Sequence, residues 1–314
     1  MLPRFLSELA APYVLDLGPR TADVPWVIGD GRSGTTWVAN LINFRGDSRL
    51  LFEPFHPTKV RLARGYPLFL YLRRQARPET LWSFYADIFT GRLPAHRRID
   101  LYNPHLFYRR RLVKDIFANL FAHWVDEQFP RVRKVLVVRH PFAVAVSKKR
   151  NRSWKWMEDP RALLKQPDLM RDHLEPFREL LEASHRRFER QVLLWCIFHY
   201  VPLRELRRHR VHLTFYEELC EDPEPELARL FAYLGQPLGR ELDPRLRAQL
   251  KNTFQVTSRS AIVTGGDLTG SWQRNITCAQ YEAGMAILRT FGLDSIYGQG
   301  LRPDRNAAEA LLAG

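Results

Sequence analysis

The stretch that most constrains this chain is Val24-Pro25-Trp26-Val27-Ile28-Gly29-Asp30-Gly31-Arg32-Ser33-Gly34-Thr35-Thr36-Trp37. Trp26 to Ile28 is a short apolar run that reads as a buried strand. It breaks into a turn with three glycines, and a helical pattern continues from Thr35 through Leu41 and Ile42. In a strand–turn–helix, backbone N–H groups at the helix start converge on an anion, and glycines allow close approach. Arg32 adds a permanent forked charge suited to phosphate or sulfate, and Ser33, Thr35 and Thr36 add hydroxyl donors. The nucleotide-hydrolase loop, which ends in Gly-Lys-Ser/Thr, is absent. The dinucleotide pattern is met only in glycine spacing, with Arg-Ser inside it. An anion cradle over Gly31, Arg32, Ser33, Gly34, Thr35 and Thr36 is therefore expected.

A second joint lies at Lys134 to Ser147. Val135 to Val138 has the composition of a fully buried strand, and Pro141 is placed to open a helix at its first turn. Arg139 then leaves the strand end, and Ser147 sits about two turns into the helix. Further strands are expected at Arg49 to Phe52, Arg111 to Asp115 and Val211 to Phe215. Helical spacing appears at Leu81, Phe84, Tyr85 and Ile88, at Phe117 to Val125, and from Phe188 to Leu206. This alternation implies an α/β fold, a parallel sheet flanked by helices. No linker or repeat divides the 314 residues, so a single domain over 1–314 is expected, with its core at about 24–297.

Prolines stop the second strand and leave Glu53 and His56 near its end, where ligands sit in open α/β sheets. A carboxylate in this place can also be the structural partner of a local arginine. Lys114 ends the third strand and is a candidate for steadying a transferred group, or simply a solubilising surface lysine. His199, on an apolar helix face, reads as a core histidine. Residues 151–184, with Trp154, Trp156 and three prolines, look irregular and are expected to form a lid over an acceptor.

The formal charge of +14 predicts anionic partners. Arginine runs such as Arg109-Arg110-Arg111 and Arg207-Arg208 can nevertheless be solvated surface. The basic and aromatic residues between 60 and 110 fall at helical spacing, so core packing explains them better than nucleic acid, and no nucleic-acid partner is expected. No segment approaches the roughly 20 apolar residues of a membrane span. The three cysteines have no metal-ligand spacing, so no metal site is expected, and a reducing cytoplasm is.

Taken with their flanks, the two joints resemble the 5′-phosphosulfate loop and the 3′-phosphate motif of sulfotransferases. These enzymes use 3′-phosphoadenosine 5′-phosphosulfate (PAPS). Carbohydrate sulfotransferases usually carry arginine where this chain has Arg32, whereas cytosolic members usually carry lysine. Phe52-Glu53-Pro54 is similar to the carbohydrate type, in which the acidic residue is proposed as catalytic base. Phe215-Tyr216-Glu217-Glu218-Leu219 resembles the segment whose tyrosine contacts adenine. Thr269-Gly270-Ser271-Trp272-Gln273-Arg274-Asn275-Ile276-Thr277 resembles the cofactor-covering loop.

The resemblance implies a P-loop-like fold and metal-independent transfer of a sulfuryl group from PAPS to a hydroxyl of a carbohydrate or small-molecule acceptor. It assigns the cofactor to Gly31 through Thr36, Arg139, Ser147, Tyr216, Trp272 and Arg274. It assigns the chemistry to Arg32, Lys114 and Glu53, with His56 in reserve. The histidine that cytosolic members carry after the lysine is Ile116 here, and the usual Arg-Lys-Gly of the covering loop is Gly265-Gly266-Asp267. Arg274 or Arg259 would have to substitute. A kinase-like phosphotransferase and a non-enzymatic polyanion binder remain as rivals.

Overall fold

Five parallel strands organise the computed structural model, which describes residues 11–21, 23–150, 158–239, 241–251, 266–298 and 300–313. They are β1 (Val24–Gly29), β2 (Ser48–Phe52), β3 (Arg110–Lys114), β4 (Val132–Val138) and β5 (Val211–Phe215). Their spatial order is β2-β3-β1-β4-β5, and Leu15–Asp16 with Phe107–Tyr108 makes a small parallel pair apart. A sheet covered on both faces needs strands that are buried along their length, and most residues of these strands are buried, the polar ones Arg49, Arg111, Lys114 and Lys134 included. Alternate side chains feed two cores. Trp26, Ile28, Leu51, Val113 and Leu136 enter one, and Val27, Leu50, Phe52, Leu112 and Val135 enter the other.

The helices that frame the site are α1 (Thr35–Ile42), α2 (Glu79–Thr90), α3 (Ala122–Gln128), α4 (Pro141–Arg150), α5 (Arg187–Glu205), α6 (Tyr216–Glu221), α7 (Pro223–Tyr233) and α8 (Cys278–Phe291). Side chains of α1 and α7 join the second core, and those of α2, α4, α5 and α8 join the first. His199 on α5 is a core histidine: it is fully buried and stacks on Trp195 at 4.1 Å. Among the described residues no helix is long and apolar enough to cross a membrane.

Three expectations need correction. The pattern from Phe117 to Val125 is not one helix but a single tight turn, Asn119–Phe121, followed by α3. Side chains claim the backbone there instead. Asp115 accepts the Phe117 N–H at 2.8 Å, and the side-chain Oδ1 of Asn119 accepts the Gly29 N–H of β1 at 3.0 Å. Arg111 is not solvated surface. It is buried in a fork with Asp16 at 2.8 and 2.9 Å and donates to the carbonyls of Gly18, Pro19 and Phe89.

The third concerns residues 158–184, which form consecutive helical turns rather than an irregular stretch. Pro160 and Pro167 each open a turn, where a missing N–H costs nothing. Leu163, Leu169, Met170, Leu174, Phe177 and Leu181 sink into the first core. Trp154 and Trp156, on which the lid reading rested, lie outside the described residues, as do Arg259 and Gly265.

Candidate active site

Every strand of the sheet delivers one part of the anticipated site at its carboxyl end. Across the sheet the sequence is Glu53 after β2, Lys114 closing β3, the glycine turn after β1, Arg139 after β4 and Tyr216 after β5. With neighbouring strands about 4.8 Å apart, that row spans roughly 19 Å. β1 and β4 are adjacent, but the chain leaves them toward opposite edges, to β2 and to β5. The crevice between them is the topological switch point, where ligands enter such sheets.

The turn is held from within and from below. Asp30 accepts the Ser33 N–H at 3.1 Å through its carbonyl, while its carboxylate grips the Lys148 ammonium at 2.6 and 2.7 Å. That buried pair bolts the turn to α4, the helix that carries Ser147. Arg32 adopts φ 75° and Gly34 φ 93°. A Cβ on Gly34 would stand 2.7 Å from the Tyr216 ring, so only glycine lets the turn and that ring pack together. Gly31 and Thr35 are buried and Thr36 half-buried at the start of α1. The Ser33 hydroxyl is buried with no hydrogen-bond partner among the described residues.

Two arginines meet at the crevice. Arg32 donates to the Ser147 hydroxyl at 3.0 Å. Arg139 donates to the Arg32 carbonyl at 3.1 Å and to the Leu268 carbonyl at 3.3 Å, and lies 4.0 Å over the Tyr216 ring. Its Nε is buried without a partner among the described residues. Neither guanidinium pairs with a carboxylate among the described residues. Loss of water around Arg32, and next to it the Arg139 charge, push the Arg32 pKa below its usual value.

Tyr216 is buried edge-on against Trp37, with ring centroids 5.6 Å apart. Trp272 is buried and stacks on His140 at 4.3 Å, so the segment carrying it lies across the β4–α4 joint. Arg274 is exposed beside Asn275, which Arg150 of α4 contacts at 2.6 Å.

At the other end of the row stands a different arrangement. Glu53 is buried, with one carboxylate oxygen 2.7 Å from Lys114 and the other 2.8 Å from Arg98. Lys114 is buried too, rather than a solubilising surface lysine. Burial pushes the Glu53 carboxyl upward, but Lys114 and then Arg98 outweigh it and hold the pKa below its usual value. The Glu53 backbone sits at φ 50°, unusual for a residue with a side chain. Its N–H is tied to the Lys114 carbonyl at 2.7 Å, and the Phe55 N–H to the Asp115 carboxylate at 2.8 Å. His56 accepts the Thr58 N–H on Nδ1 at 3.3 Å, which places the hydrogen of the neutral ring on Nε2. Burial, with Arg98 and Lys59 adding to it and Glu53 opposing, brings its pKa down to about 4.

Residues 23–275 match the family model for the sulfotransferase domain, most of the chain. The chain belongs to the sulfotransferase family. As a sulfotransferase it is an enzyme of group transfer, and its central parallel sheet flanked by helices is the frame on which the site is built. No curated protein matches the sequence significantly. Solved structures similar to it include mouse sulfotransferase SULT7A1 complexed with PAP, at 16% identity over 94% of this chain and 91% of that chain, TM-score 0.44. Sulfotransferase STF9 from Mycobacterium avium is similar at 14% identity over 95% and 80% of the two chains, TM-score 0.49. The sulfotransferase domain of the Synechococcus PCC 7002 olefin synthase is similar at 16% identity over 90% and 97%, TM-score 0.42. The family assignment rests on the sequence match and not on these likenesses.

Sequence reasoning missed four residues of this sulfotransferase site. Arg98 reaches Glu53 from 45 residues away, and Lys148 reaches Asp30 from 118 residues away. Asp115 and Asn119 fix the backbone N–H groups of Phe55 and Gly29, beside the ends of β2 and β1. Only Asp115 carried a local signal, as a carboxylate directly after an apolar strand. Among the described residues no group of three or more potential metal ligands comes together.

Proposed function

We propose that this sulfotransferase takes PAPS as donor and transfers its sulfuryl group to a hydroxyl of a carbohydrate or small-molecule alcohol. The observation that carries the reading is the pair Arg32 and Arg139, two guanidinium groups at the switch point of the sheet that form no ion pair among the described residues. Like charges packed this way call for a ligand with more than one negative charge. The orphaned Ser33 hydroxyl and Arg139 Nε supply donors for it. The turn amides, Arg32 and Ser33 would hold the phosphosulfate end. Arg139 and Ser147 would take the 3′-phosphate, and Tyr216 would pack against adenine. Trp272 and Arg274 would serve from the segment that crosses the joint.

Bound PAPS supplies the activated sulfuryl group. Sulfuryl transfer, like phosphoryl transfer, depends mainly on positioning and on charge held ready for the transition state. Lys114 stands one strand from the turn and pairs with Glu53, so it connects the donor end to the base. Glu53 would take the proton that leaves the acceptor hydroxyl. His56 suits that role less, because its Nδ1 lone pair is engaged and its basicity is reduced. We place the enzyme in a reducing compartment, the cytoplasm, which suits three unbridged cysteines.

Calorimetric titration with 3′-phosphoadenosine 5′-phosphate, against ATP with magnesium, tests the donor. Tight binding of the bisphosphate with weak binding of ATP is expected. Preference for ATP–magnesium would favour a phosphotransferase, and binding of neither would favour a polyanion binder. Labelled PAPS offered with sugars, phenols and aliphatic alcohols then reads the acceptor.

A further inference from the structure

A cavity of about 560 Å³ opens beside Glu53, lined by Thr58, Lys59, Arg64, His96, Arg97 and Arg98 along with Leu101. Its size is that of a small-ligand site. Its walls are unusual, because four permanent cations share them and Glu53 is the only carboxylate paired with any of the four among the described residues. Arg98 spends one nitrogen on Glu53, and its Nε and Nη1 are buried without partners among the described residues. Arg64 is held in place by a bond from its Nε to the Thr58 carbonyl at 3.0 Å. His96 accepts the Arg98 and Ile99 N–H groups on Nδ1, at 3.2 and 3.3 Å, so its neutral ring keeps a donor on Nε2.

We infer that the acceptor of this enzyme is itself an anion. It carries a carboxylate or sulfate that seats among Lys59, Arg64, Arg97 and Arg98 while its hydroxyl lies at Glu53. The inference rests on the sulfotransferase reading and narrows it. Forked guanidinium groups recognise planar and tetrahedral oxyanions by paired hydrogen bonds, and two desolvated N–H groups of Arg98 lack such a partner. A neutral phenol or alcohol would leave them unpaired, and it would leave the remaining cations to repel one another. Arg98 is shared, so an acceptor anion bound to it draws the guanidinium partly away from Glu53. That leaves the carboxylate with Lys114 and makes it a better proton acceptor.

Matched acceptors test the inference: methyl β-glucoside, methyl β-glucuronide and glucose 6-sulfate, each titrated calorimetrically into enzyme saturated with 3′-phosphoadenosine 5′-phosphate. The two acidic sugars should bind at least tenfold more tightly than the glucoside, and raised salt should erode the difference. The separate arms show whether carboxylate or sulfate is preferred. In the triple variant K59A/R64A/R97A the acidic sugars should lose about tenfold in affinity while the glucoside and the bisphosphate nucleotide change less than twofold. Equal binding of all three sugars by the wild-type enzyme, or equal losses for all three in the variant, would overturn the inference. Because binding is read without turnover, absence of sulfuryl transfer to any acceptor would instead overturn the sulfotransferase reading, leaving the cavity result to stand on its own.

Discussion

The two sides of β1 hold their cations in opposite ways. Toward β4, Arg32 and Arg139 meet without an ion-paired carboxylate among the described residues. Toward β2, Lys114 and Arg98 share the buried carboxylate of Glu53. A ligand that brings negative charge to the first group stabilises the fold by mass action. In the second, Glu53 already has both partners without ligand, so removing that carboxylate harms the protein itself. The donor end is therefore built for binding, and the other end for setting the state of one carboxylate.

The sharpest way to break this contrast is Glu53→Gln. Turnover should fall about 10²–10⁴-fold, the usual cost of removing a general base. Stability should fall as well, by about 3–5 kcal/mol, because Lys114 would be left buried without its partner. Affinity for the bisphosphate nucleotide should hold. Near-normal kcat in this variant, with a dead His56→Ala, would move the base to His56.

Arg139→Ala should act the other way round. Binding of the bisphosphate nucleotide should weaken by about 1.5–3 kcal/mol, the worth of charged hydrogen bonds. Adenosine 5′-phosphosulfate, which lacks the 3′-phosphate, should be affected much less. The ligand-free melting temperature should stay level or rise, since a repulsion is removed. A fall as large as that of Glu53→Gln would erase the distinction between the two ends. A smaller effect is expected for His56→Ala, whose kcat should drop less than about tenfold.

The smallest effect concerns pH. Burial pushes the Asp115 carboxyl up to about 7, against the two N–H groups it accepts, with Glu53 adding to the rise. A raised folded pKa means the folded chain holds the extra proton, so this contribution is complete below the unfolded value of 3.8 and is lost as pH rises through about 7. Glu53 works in the opposite sense: its lowered pKa gives stability above the unfolded value of 4.5, lost as pH falls through the folded value. Denaturant melts of Asp115→Asn should therefore show a flatter pH dependence than wild type between about pH 4 and 7. An unchanged slope would mean that Asp115 does not titrate there.

What the sequence disclosed of this site was local. The glycine turn and the Arg139–Ser147 joint are each contained in one strand–turn–helix unit, so residue types at short spacing were enough to find them. The strands were found nearly to the residue because burial on both faces concentrates apolar residues in short runs, such as Trp26 to Ile28 and Val135 to Val138. Partners that depend on chain folding were invisible. Nothing near Glu53 in sequence announces Arg98, and nothing in an arginine triplet distinguishes Arg111, buried on Asp16, from its exposed neighbours. Residues 158–184 were misread because prolines at the starts of successive turns look, in sequence, like prolines that interrupt one.

The strand order has a consequence for the birth of the protein. β1 is the first of the five strands to be synthesised, yet both of its neighbours lie far downstream, β3 about 80 residues on and β4 about 100. At a translation rate of roughly 5–20 residues per second, this strand of Trp, Val and Ile waits several seconds on the ribosome with both edges unpaired. A nascent chain halted before Val132 cannot complete the pairing around β1, so it should be captured by chaperones. One extended past Val138 should begin to resist protease.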